Sequence, residues 1–342
     1  MLTKRERYLR TVRGEETDRP PVWIMRQAGR YMPEYMELRK RHEFRELCLI
    51  PEASVAASLL PLRLLDIDIL IIFNDIMIPL EEMGLPVTFP QGGPRIAQPL
   101  RTEADLSRFH AADFDDPPVC RSLRRLKEQA GPDVPALGFA GAPFTLACYA
   151  VEGAMSKNKH VIMEMVYREP ELLERFLERI ADTAANYLIA QIKQGHADGV
   201  QLFESWAGLL APTQDYERFA AKYQRMVIGK VKAACPDTPV HLFAKGSCGL
   251  IEAMDASGAD VLSVDWSLSL ADARRRTGKC LQGNLDPVAM HVPEAVPRLV
   301  SRMLEDFDWR RRWIANLGHG ILPQAQVEGA RAFVQAIQAL GR

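Results

Sequence analysis

Short apolar runs rich in β-branched residues alternate along the chain with longer segments of helical periodicity. Runs of this kind are typical of strands buried on both faces of a sheet. Because strands that alternate with helices form parallel βαβ units, the pattern predicts an α/β fold. Eight strands are predicted, at residues 22–25, 67–73, 136–139, 199–203, 240–243, 261–264, 280–282 and 313–315.

The segments between these runs have the three- and four-residue spacing of amphipathic helices. The clearest is 170–195, where Pro170 suits a first turn and Gly195 suits the end. Leu173, Phe176 and the apolar residues that follow them form one stripe, which we expect to pack on the strands. Seven more helices are predicted, at 52–65, 119–130, 215–234, 250–257, 270–277, 294–305 and 325–340.

Eight strands with helices between them predict a single domain over residues 1–342, a (β/α)8 TIM barrel with its active-site cleft at the C-terminal face. An open doubly wound sheet is the competing architecture. The absence of a G-x-G-x-x-G motif after an early strand weakens its dinucleotide-binding version. The stretch 80–118 is rich in Pro and Gly, and it predicts an excursion with a small hairpin.

Charge and composition exclude several classes of protein. The formal net charge is −1, so no global field attracts nucleic acid or an acidic membrane. The first residues lack the apolar core of a secretory signal. The most apolar stretch, 59–73, is interrupted by Arg63, Asp66 and Asp68, which excludes a simple membrane span. Six cysteines without a C-x-x-C motif indicate reduced thiols, and we expect a cytoplasmic protein.

Polar residues follow the apolar runs where the predicted strands end. A (β/α)8 barrel carries its chemistry just beyond the carboxyl ends of its strands. The pattern therefore predicts that these residues meet at one face of the barrel. They are Arg26 and Arg30, Asn74 and Asp75, Glu204 and Ser205, Lys245, Asp265, Asn284 and Asp286, and His319.

The two arginines flank a loop in which Gly29 permits close approach of the backbone. Arg26 and Arg30 could be ordinary surface side chains. Guanidinium groups also bind carboxylates through paired hydrogen bonds, each worth roughly 1.5–3 kcal/mol. The spacing alone leaves a surface role and an anion-binding role open.

Four other side chains have both a structural and a functional interpretation. Asp75 suits a turn or a helix cap, and equally a carboxylate at the barrel mouth. His319 lies between two glycines, which is typical of a loop or of a tight turn beside a ligand. Tyr149 suits a half-buried helix face and Ser205 suits a cap, but each could also contact a ligand.

The sequence contains no motif for a metal, a nucleophile or a phosphate. His241 and Cys248 lie close together but form no H-x-C motif, and the seven histidines lack metal-ligand spacing. There is also no G-x-S-x-G motif and no phosphate-cradling loop. We therefore expect a protein that uses neither a metal nor an organic cofactor.

Ordered motifs over nearly the whole chain resemble the uroporphyrinogen decarboxylase family. Residues 21–31, PVWIMRQAGRY, are similar to its N-terminal signature, and residues 138–153, GFAGAPFTLACYAVEG, to its second signature. Three shorter motifs follow in the expected order: FESWAG at 203–208, GNLDP at 283–287 and NLGHG at 316–320.

The resemblance implies a (β/α)8 barrel that acts as a cytosolic homodimer in haem and chlorophyll biosynthesis. Its members convert uroporphyrinogen to coproporphyrinogen by removing four acetate carboxyl groups. Two residues depart from the pattern: Asn74 stands where the family commonly has Ser, and Trp206 where some members have His. The substrate contacts implied are Arg26, Gln27, Ala28, Gly29 and Arg30 in one loop, together with Asp75, Tyr149, Ser205 and His319.

The reaction implied gives Asp75 a leading role. Protonation of a pyrrole ring carbon makes a cation that takes up the electrons as CO2 leaves, which a cofactor does elsewhere. A fixed carboxylate stabilises that cation, while Arg26 and Arg30 hold carboxylate arms of the substrate. Two rivals remain: a zinc-dependent methyltransferase on the same barrel, which needs a His/Cys zinc site, and a tetrapyrrole-binding protein that releases no CO2.

Overall fold

The computed structural model describes residues 2–90, 93–154, 156, 158–210 and 214–341. The strands are β1 Leu70–Ile71, β2 Val87–Thr88, β3 Arg95–Ile96, β4 Ala136–Gly141, β5 Gly199–Glu204, β6 Val240–Ala244, β7 Val261–Val264, β8 Cys280–Leu285 and β9 Trp313–Leu317. Seven of them form one parallel sheet in the order β1-β4-β5-β6-β7-β8-β9. β2 and β3 form the small antiparallel hairpin predicted within 80–118.

The segment 21–25 closes the sheet between its two edge strands. Val22 O accepts a hydrogen bond from Asp68 N on one side at 2.7 Å, and Trp23 N donates to Ala315 O on the other at 3.2 Å. The predicted strand 22–25 was nevertheless wrong as a strand, since only one isolated bridge forms, between Val22 and Ala315. Side-chain acceptors take the place of the backbone hydrogen bonds that paired strands would form: Val22 N donates to Asp68 Oδ2, and Met25 N to Asn316 Oδ1.

Helices cover the outside of this sheet. They are α1 Lys4–Arg13, α2 Pro33–Arg41, α3 Phe44–Leu49, α4 Pro51–Leu65, α5 Ile78–Glu82, α6 Pro118–Ala130, α7 Pro143–Glu152, α8 His160–Arg168, α9 Pro170–Lys193, α10 Gln214–Tyr216, α11 Lys222–Ala234, α12 Ile251–Asp255, α13 Leu270–Arg276, α14 Val296–Met303 and α15 Val327–Gln338. Shorter 3-10 turns lie at Glu103–Ser107, Ala207–Leu209, Ser247–Gly249, Pro287–His291, Pro293–Ala295 and Ala339–Gly341. All eight predicted helices are confirmed within a few residues, except that 215–234 is divided by a π-helical turn, Glu217–Ala221.

The apolar side chains form two cores. The larger one lies between the sheet and the helices, and it contains the predicted stripe of α9, including Leu173 and Phe176. The smaller core fills the barrel interior, where Trp23 and Met25 join Leu137, Phe243 and Ile314 from the strands. A packed interior of this kind is typical of a closed barrel, so the predicted (β/α)8 architecture is confirmed.

Ion pairs anchor the closing segment at its amino end. Asp68 is fully buried and pairs with Arg7 at 3.0 Å and with Arg19 at 2.6 Å. The same carboxylate accepts the Val22 N–H, so it joins α1, the closing segment and the start of β1. Among the described helices, none is both long and apolar enough to cross a membrane.

Candidate active site

The loop after the closing segment holds Arg26 in a left-handed conformation with φ 61°. Asn316, in β9, fixes the preceding residue, because its Oδ1 accepts the Met25 N–H at 2.8 Å. Ile321 N donates to Met25 O at 2.9 Å, which ties the loop to the NLGHG segment. The Arg26 side chain lies so close to Gly320 that a Cβ added there would be 2.3 Å from Arg26 Cδ.

The rest of the RQAGR loop divides into buried and exposed parts. Gln27 is 1 % exposed, and its side-chain amide has no hydrogen-bond partner among the described residues. Its carbonyl accepts the Tyr31 hydroxyl at 2.7 Å, which closes the loop. Ala28 and Gly29 are half-buried, and Arg30 is exposed. The charge of Arg30 acts on the pKa of Tyr35, not on that of Asp75.

Asp75 lies directly beyond β1 and is half-buried. Its Oδ1 accepts the Met77 N–H at 2.9 Å, so one carboxylate oxygen caps the following turn, as the structural interpretation predicts. Among the described residues, Oδ2 has no hydrogen-bond partner. Burial raises the pKa of Asp75, while the Met77 N–H and the Arg26 guanidinium act in the opposite direction. The residue can therefore both cap a turn and present an acceptor to a ligand.

Side chains from α4 and α9 hold the end of β1 in place. Ser54 Oγ donates to Phe73 O at 2.7 Å, and Ser58 Oγ accepts the Phe73 N–H at 2.8 Å. Asn74 donates to the Tyr187 hydroxyl at 2.6 Å and accepts the Asp75 N–H at 2.9 Å. The Asn at 74 thus orients the backbone that carries Asp75.

Tyr149 and Ser205 come from the ends of two neighbouring strands. Tyr149 is half-buried on α7, which follows β4, and Ser205 directly follows β5. Ser205 N donates to Thr145 Oγ1 at 2.7 Å, so α7 and the Ser205 loop are joined. Burial raises the pKa of Tyr149; the Asp75 carboxylate adds to this increase and the Arg26 guanidinium opposes it. Tyr149 therefore lies within electrostatic range of both groups.

His319 lies on the opposite side of the mouth, after β9. Its ring packs edge-on against Phe243 with 5.9 Å between ring centroids. Burial, together with the charges of Arg26 and Lys245, lowers the pKa of His319 to about 4. The imidazole is therefore neutral at physiological pH and can exchange hydrogen bonds without adding charge.

Arg26 is the common neighbour of these groups. Its charge acts on the pKa values of Asp75, Tyr149 and His319. The structure thus places Asp75, Tyr149 and His319 within electrostatic range of Arg26, in the space beyond the carboxyl ends of the strands. An arginine, a half-buried carboxylate, a phenol and a neutral imidazole can together bind carboxylates and accept N–H donors.

Sequence reasoning missed a buried lysine beside this space. Lys159 is fully buried at the start of α8, and its Nζ lies 4.0 Å from the Trp206 ring centroid and 5.8 Å from that of Tyr149. Burial lowers the pKa of Lys159. Lys159 lies in a polar run whose pattern is typical of a surface loop, so no sequence signal indicated its position.

Two other strand-end carboxylates have structural contacts. Asp265 is buried, accepts the Gly246 N–H at 2.6 Å and receives the Ser247 hydroxyl at 3.1 Å. Asp286 caps the turn that follows it through the Val288 N–H at 2.9 Å. Within the described part of the chain, no three His, Cys, Asp or Glu side chains are grouped to hold a metal ion.

Comparison with known proteins agrees with the motifs. The family model described as uroporphyrinogen decarboxylase matches residues 3–340. The chain belongs to this family. It is 44% identical over 335 residues to a uroporphyrinogen decarboxylase from Prochlorococcus marinus strain MIT 9211, covering 96% of this chain and 95% of that protein. A uroporphyrinogen decarboxylase from Nostoc punctiforme is 43% identical over 340 residues, covering 97% and 95%. The predicted class, a carboxy-lyase, is confirmed by this family membership.

Solved structures show the same fold at low sequence identity. A methyltransferase from Methanosarcina mazei matches with a TM-score of 0.76 and 19% identity, covering 99% of both chains. A B12-independent methionine synthase from Shewanella matches with a TM-score of 0.56 and 12% identity, covering 85% of this chain and 88% of that one. These likenesses show a shared architecture, whereas the sequence relationship is to the uroporphyrinogen decarboxylase family. The methyltransferase alternative is therefore not favoured.

Proposed function

We propose that the protein removes the four acetate carboxyl groups of uroporphyrinogen III, giving coproporphyrinogen III and CO2 in porphyrin biosynthesis. Membership of the uroporphyrinogen decarboxylase family supports this substrate. The observation that carries the mechanism is the position of Asp75, a half-buried carboxylate in electrostatic contact with Arg26. Arg26, Asp75 and the other groups around it would act directly on the substrate, without a metal or an organic cofactor.

Each decarboxylation consumes one proton and releases one CO2. A proton first adds to a pyrrole ring carbon and makes the ring cationic. The bond between the acetate methylene and its carboxylate then breaks, and its electron pair moves into the ring as CO2 leaves. A second proton adds to the exocyclic methylene to form the methyl group, and the ring proton departs. The substrate ring thus serves as its own electron sink.

Asp75 lowers the barrier to this sequence by facing the ring cation. Its Oδ2, which has no hydrogen-bond partner among the described residues, accepts pyrrole N–H groups, while Oδ1 stays fixed by the Met77 N–H. A unit charge pair at about 4 Å is worth roughly 4 kcal/mol at an effective dielectric constant near 20. Stabilisation of that size corresponds to about a thousandfold in rate. The fixed carboxylate therefore supplies a large part of the catalysis.

The RQAGR loop binds the carboxylate arms. Both arginines are exposed. Arg26, whose charge acts on Asp75, holds the reacting arm, and Arg30, whose charge acts on Tyr35, holds a more distant arm at the edge of the cleft. Gln27, Ala28 and Gly29 contribute the backbone and amide groups of the loop. An arginine stays protonated at neutral pH, so these residues orient the substrate and do not transfer protons.

Tyr149, Ser205 and His319 bind the remaining arms. The Tyr149 phenol is kept protonated by its raised pKa, so it can donate to a carboxylate. The neutral His319 ring does the same without adding a second positive charge beside Arg26.

The family resemblance further supports a single-domain cytoplasmic enzyme that acts as a homodimer. Sedimentation analysis at micromolar concentration tests the dimer.

Anaerobic incubation with uroporphyrinogen III tests the function directly. Products are separated by carboxyl number, and we expect seven-, six- and five-carboxyl intermediates followed by coproporphyrinogen with four equivalents of CO2. Tight binding without CO2 release would instead indicate a carrier protein. Stoichiometric zinc together with methyl transfer to a thiol would indicate the methyltransferase.

A further inference from the structure

A buried carboxylate joins two elements that carry candidate substrate contacts. Glu204 ends β5 and is 1 % exposed. Its Oε1 accepts the Thr145 hydroxyl, the Ala207 N–H at 3.2 Å and the Trp206 N–H at 3.4 Å. Its Oε2 lies 3.5 Å from Gln224 Nε2. A buried carboxylate is costly unless donors surround it, and here the donors come from several separate elements.

Thr145 forms the other half of this bridge. The residue is fully buried in the first turns of α7. Its hydroxyl donates to Glu204 and accepts the Ser205 N–H at 2.7 Å, so both hydrogen-bonding functions are engaged with the segment after β5. Tyr149 lies four residues further along α7, on the same helix face one turn away. The bridge therefore connects the helix of Tyr149 to the backbone of Ser205.

We propose that Thr145 and Glu204 are positioning residues that fix the distance between Tyr149 and Ser205, and so set how firmly the remote carboxylate arms of the substrate are held. A simple cap of the turn after β5 requires only the bonds from Trp206 and Ala207. The bonds through Thr145 cross to a different element, which a cap does not need. The inference rests on the proposed function, because it assigns Tyr149 and Ser205 to the arms of uroporphyrinogen.

The reaction makes such a bridge useful. The substrate is decarboxylated four times, and each cycle requires the arms that do not react to be held in register. Contacts with the arms that do not react bind the substrate and its transition state alike, so their loss raises KM more than it lowers kcat. Removing the hydrogen bonds between Thr145 and the segment after β5 should therefore lower the affinity of the enzyme for every partly decarboxylated intermediate.

Kinetics of Thr145→Val test the inference. Valine keeps the shape and removes both hydrogen bonds of the hydroxyl. We expect kcat/KM for uroporphyrinogen to fall on the order of tenfold, mainly through KM, and partly decarboxylated intermediates to be released. Thr145→Ser, which keeps the hydroxyl, should restore wild-type values. Glu204→Gln keeps the shape but weakens the acceptor, so it should change the same constants in the same direction by a smaller factor.

Thr183→Val is the matched control. Thr183 is equally buried, and its hydroxyl also accepts a backbone N–H, that of Ala112 at 3.0 Å, but it lies on α9 outside the site. We expect a similar loss of thermal stability with unchanged kinetic constants. Wild-type kcat, KM and product pattern in folded Thr145→Val would overturn the inference, and if that variant does not fold, wild-type values in Glu204→Gln would do so. An inactive wild-type enzyme would instead overturn the proposed function.

Discussion

The Tyr8 hydroxyl lies 2.8 Å from Nε2 of His241, at the closed end of the barrel away from the candidate active site. Gln282 Oε1 lies 3.1 Å from Nδ1 of the same ring and also accepts the Trp23 indole N–H at 3.0 Å. Because the Gln282 oxygen can only accept, Nδ1 carries a proton, and in the neutral ring Nε2 accepts from the Tyr8 hydroxyl. Burial, which lowers the pKa of His241, favours this neutral form.

We predict that this neutral histidine makes stability depend on pH. Burial lowers the pKa of His241 from 6.5 to about 4. The neutral His241 ring contributes fully to the stability of the folded state above pH 6.5. This contribution is lost as the pH falls towards 4, because the unfolded chain binds the proton first. His241→Gln, which does not titrate, should therefore lose less stability relative to wild type at pH 5 than at pH 7.5. The expected difference is about 2 kcal/mol, measured by urea unfolding.

The wild type has to be compared with His241→Gln because a second buried group changes the folding stability with pH in the opposite direction. Burial raises the pKa of Glu204 to about 7, so this residue favours the folded state increasingly as the pH falls from 7 to 4.5. Both proteins contain Glu204, and its effect cancels in the difference between them. An equal loss of stability at both pH values would contradict the neutral His241 network.

Gly320→Ala should damage the site through Arg26. The new Cβ would lie 2.3 Å from Arg26 Cδ and 2.8 Å from its Nε, so the side chain must move. Loss of one charged contact with a substrate carboxylate should lower kcat/KM by about 10- to 100-fold. Gly229→Ala is the control, because that helical glycine has open space around it and alanine favours a helix. Unchanged kinetics in Gly320→Ala would show that Arg26 does not need its present position.

The pKa of His319 provides a test that does not depend on activity. NMR should show a single titration near pH 4 for this ring. Because the charge of Arg26 contributes to the low value, Arg26→Met should raise the pKa of His319. Arg30→Met also removes one positive charge, but Arg30 acts on the pKa of Tyr35. This variant should therefore leave the pKa of His319 unchanged. A His319 pKa near 6.5 in the wild type would be incompatible with the burial of this ring beside Arg26.

The alternating pattern predicted the barrel because each helix between strands has one apolar face. Helix α7 was missed for the opposite reason: eight of its ten residues are buried, so no polar face produces a period. The segment 22–25 was wrongly predicted as a strand because its apolar run is typical of one. The run does not show that the side chains of Asp68 and Asn316, distant in sequence, accept the backbone N–H groups of this segment.

The position of the candidate residues could be predicted in part from the sequence. Strand ends predicted that Arg26, Asp75 and His319 lie together, since a parallel barrel brings its carboxyl ends to one face; that they act on a substrate stays a prediction. The supports around them were not identifiable, because the Thr145 bond to Glu204 and the buried position of Lys159 depend on tertiary packing. Such residues look like ordinary helix and loop positions in the sequence.

Asp75→Asn should keep the fold and lose most of the activity. Asparagine retains the acceptor for the Met77 N–H, so the turn after β1 stays capped. The charge that faces the ring cation is removed, and kcat should fall on the order of a thousandfold. In the wild type, burial raises the pKa of Asp75, so activity should decline on the acid side at a pH above the ordinary aspartate value of 3.8.

A second strand-end carboxylate provides the control for this substitution. Asp286 also caps a turn, through the Val288 N–H, and Asn can replace it in that role. Asp286→Asn should therefore show normal turnover and normal thermal unfolding. Asp75→Asn should also unfold normally, but its turnover should be low. Both variants are assayed anaerobically by CO2 release from uroporphyrinogen III at several pH values. Near-normal turnover in Asp75→Asn would mean that the ring cation is stabilised by another group, because the half-buried carboxylate beside Arg26 would then contribute only a cap.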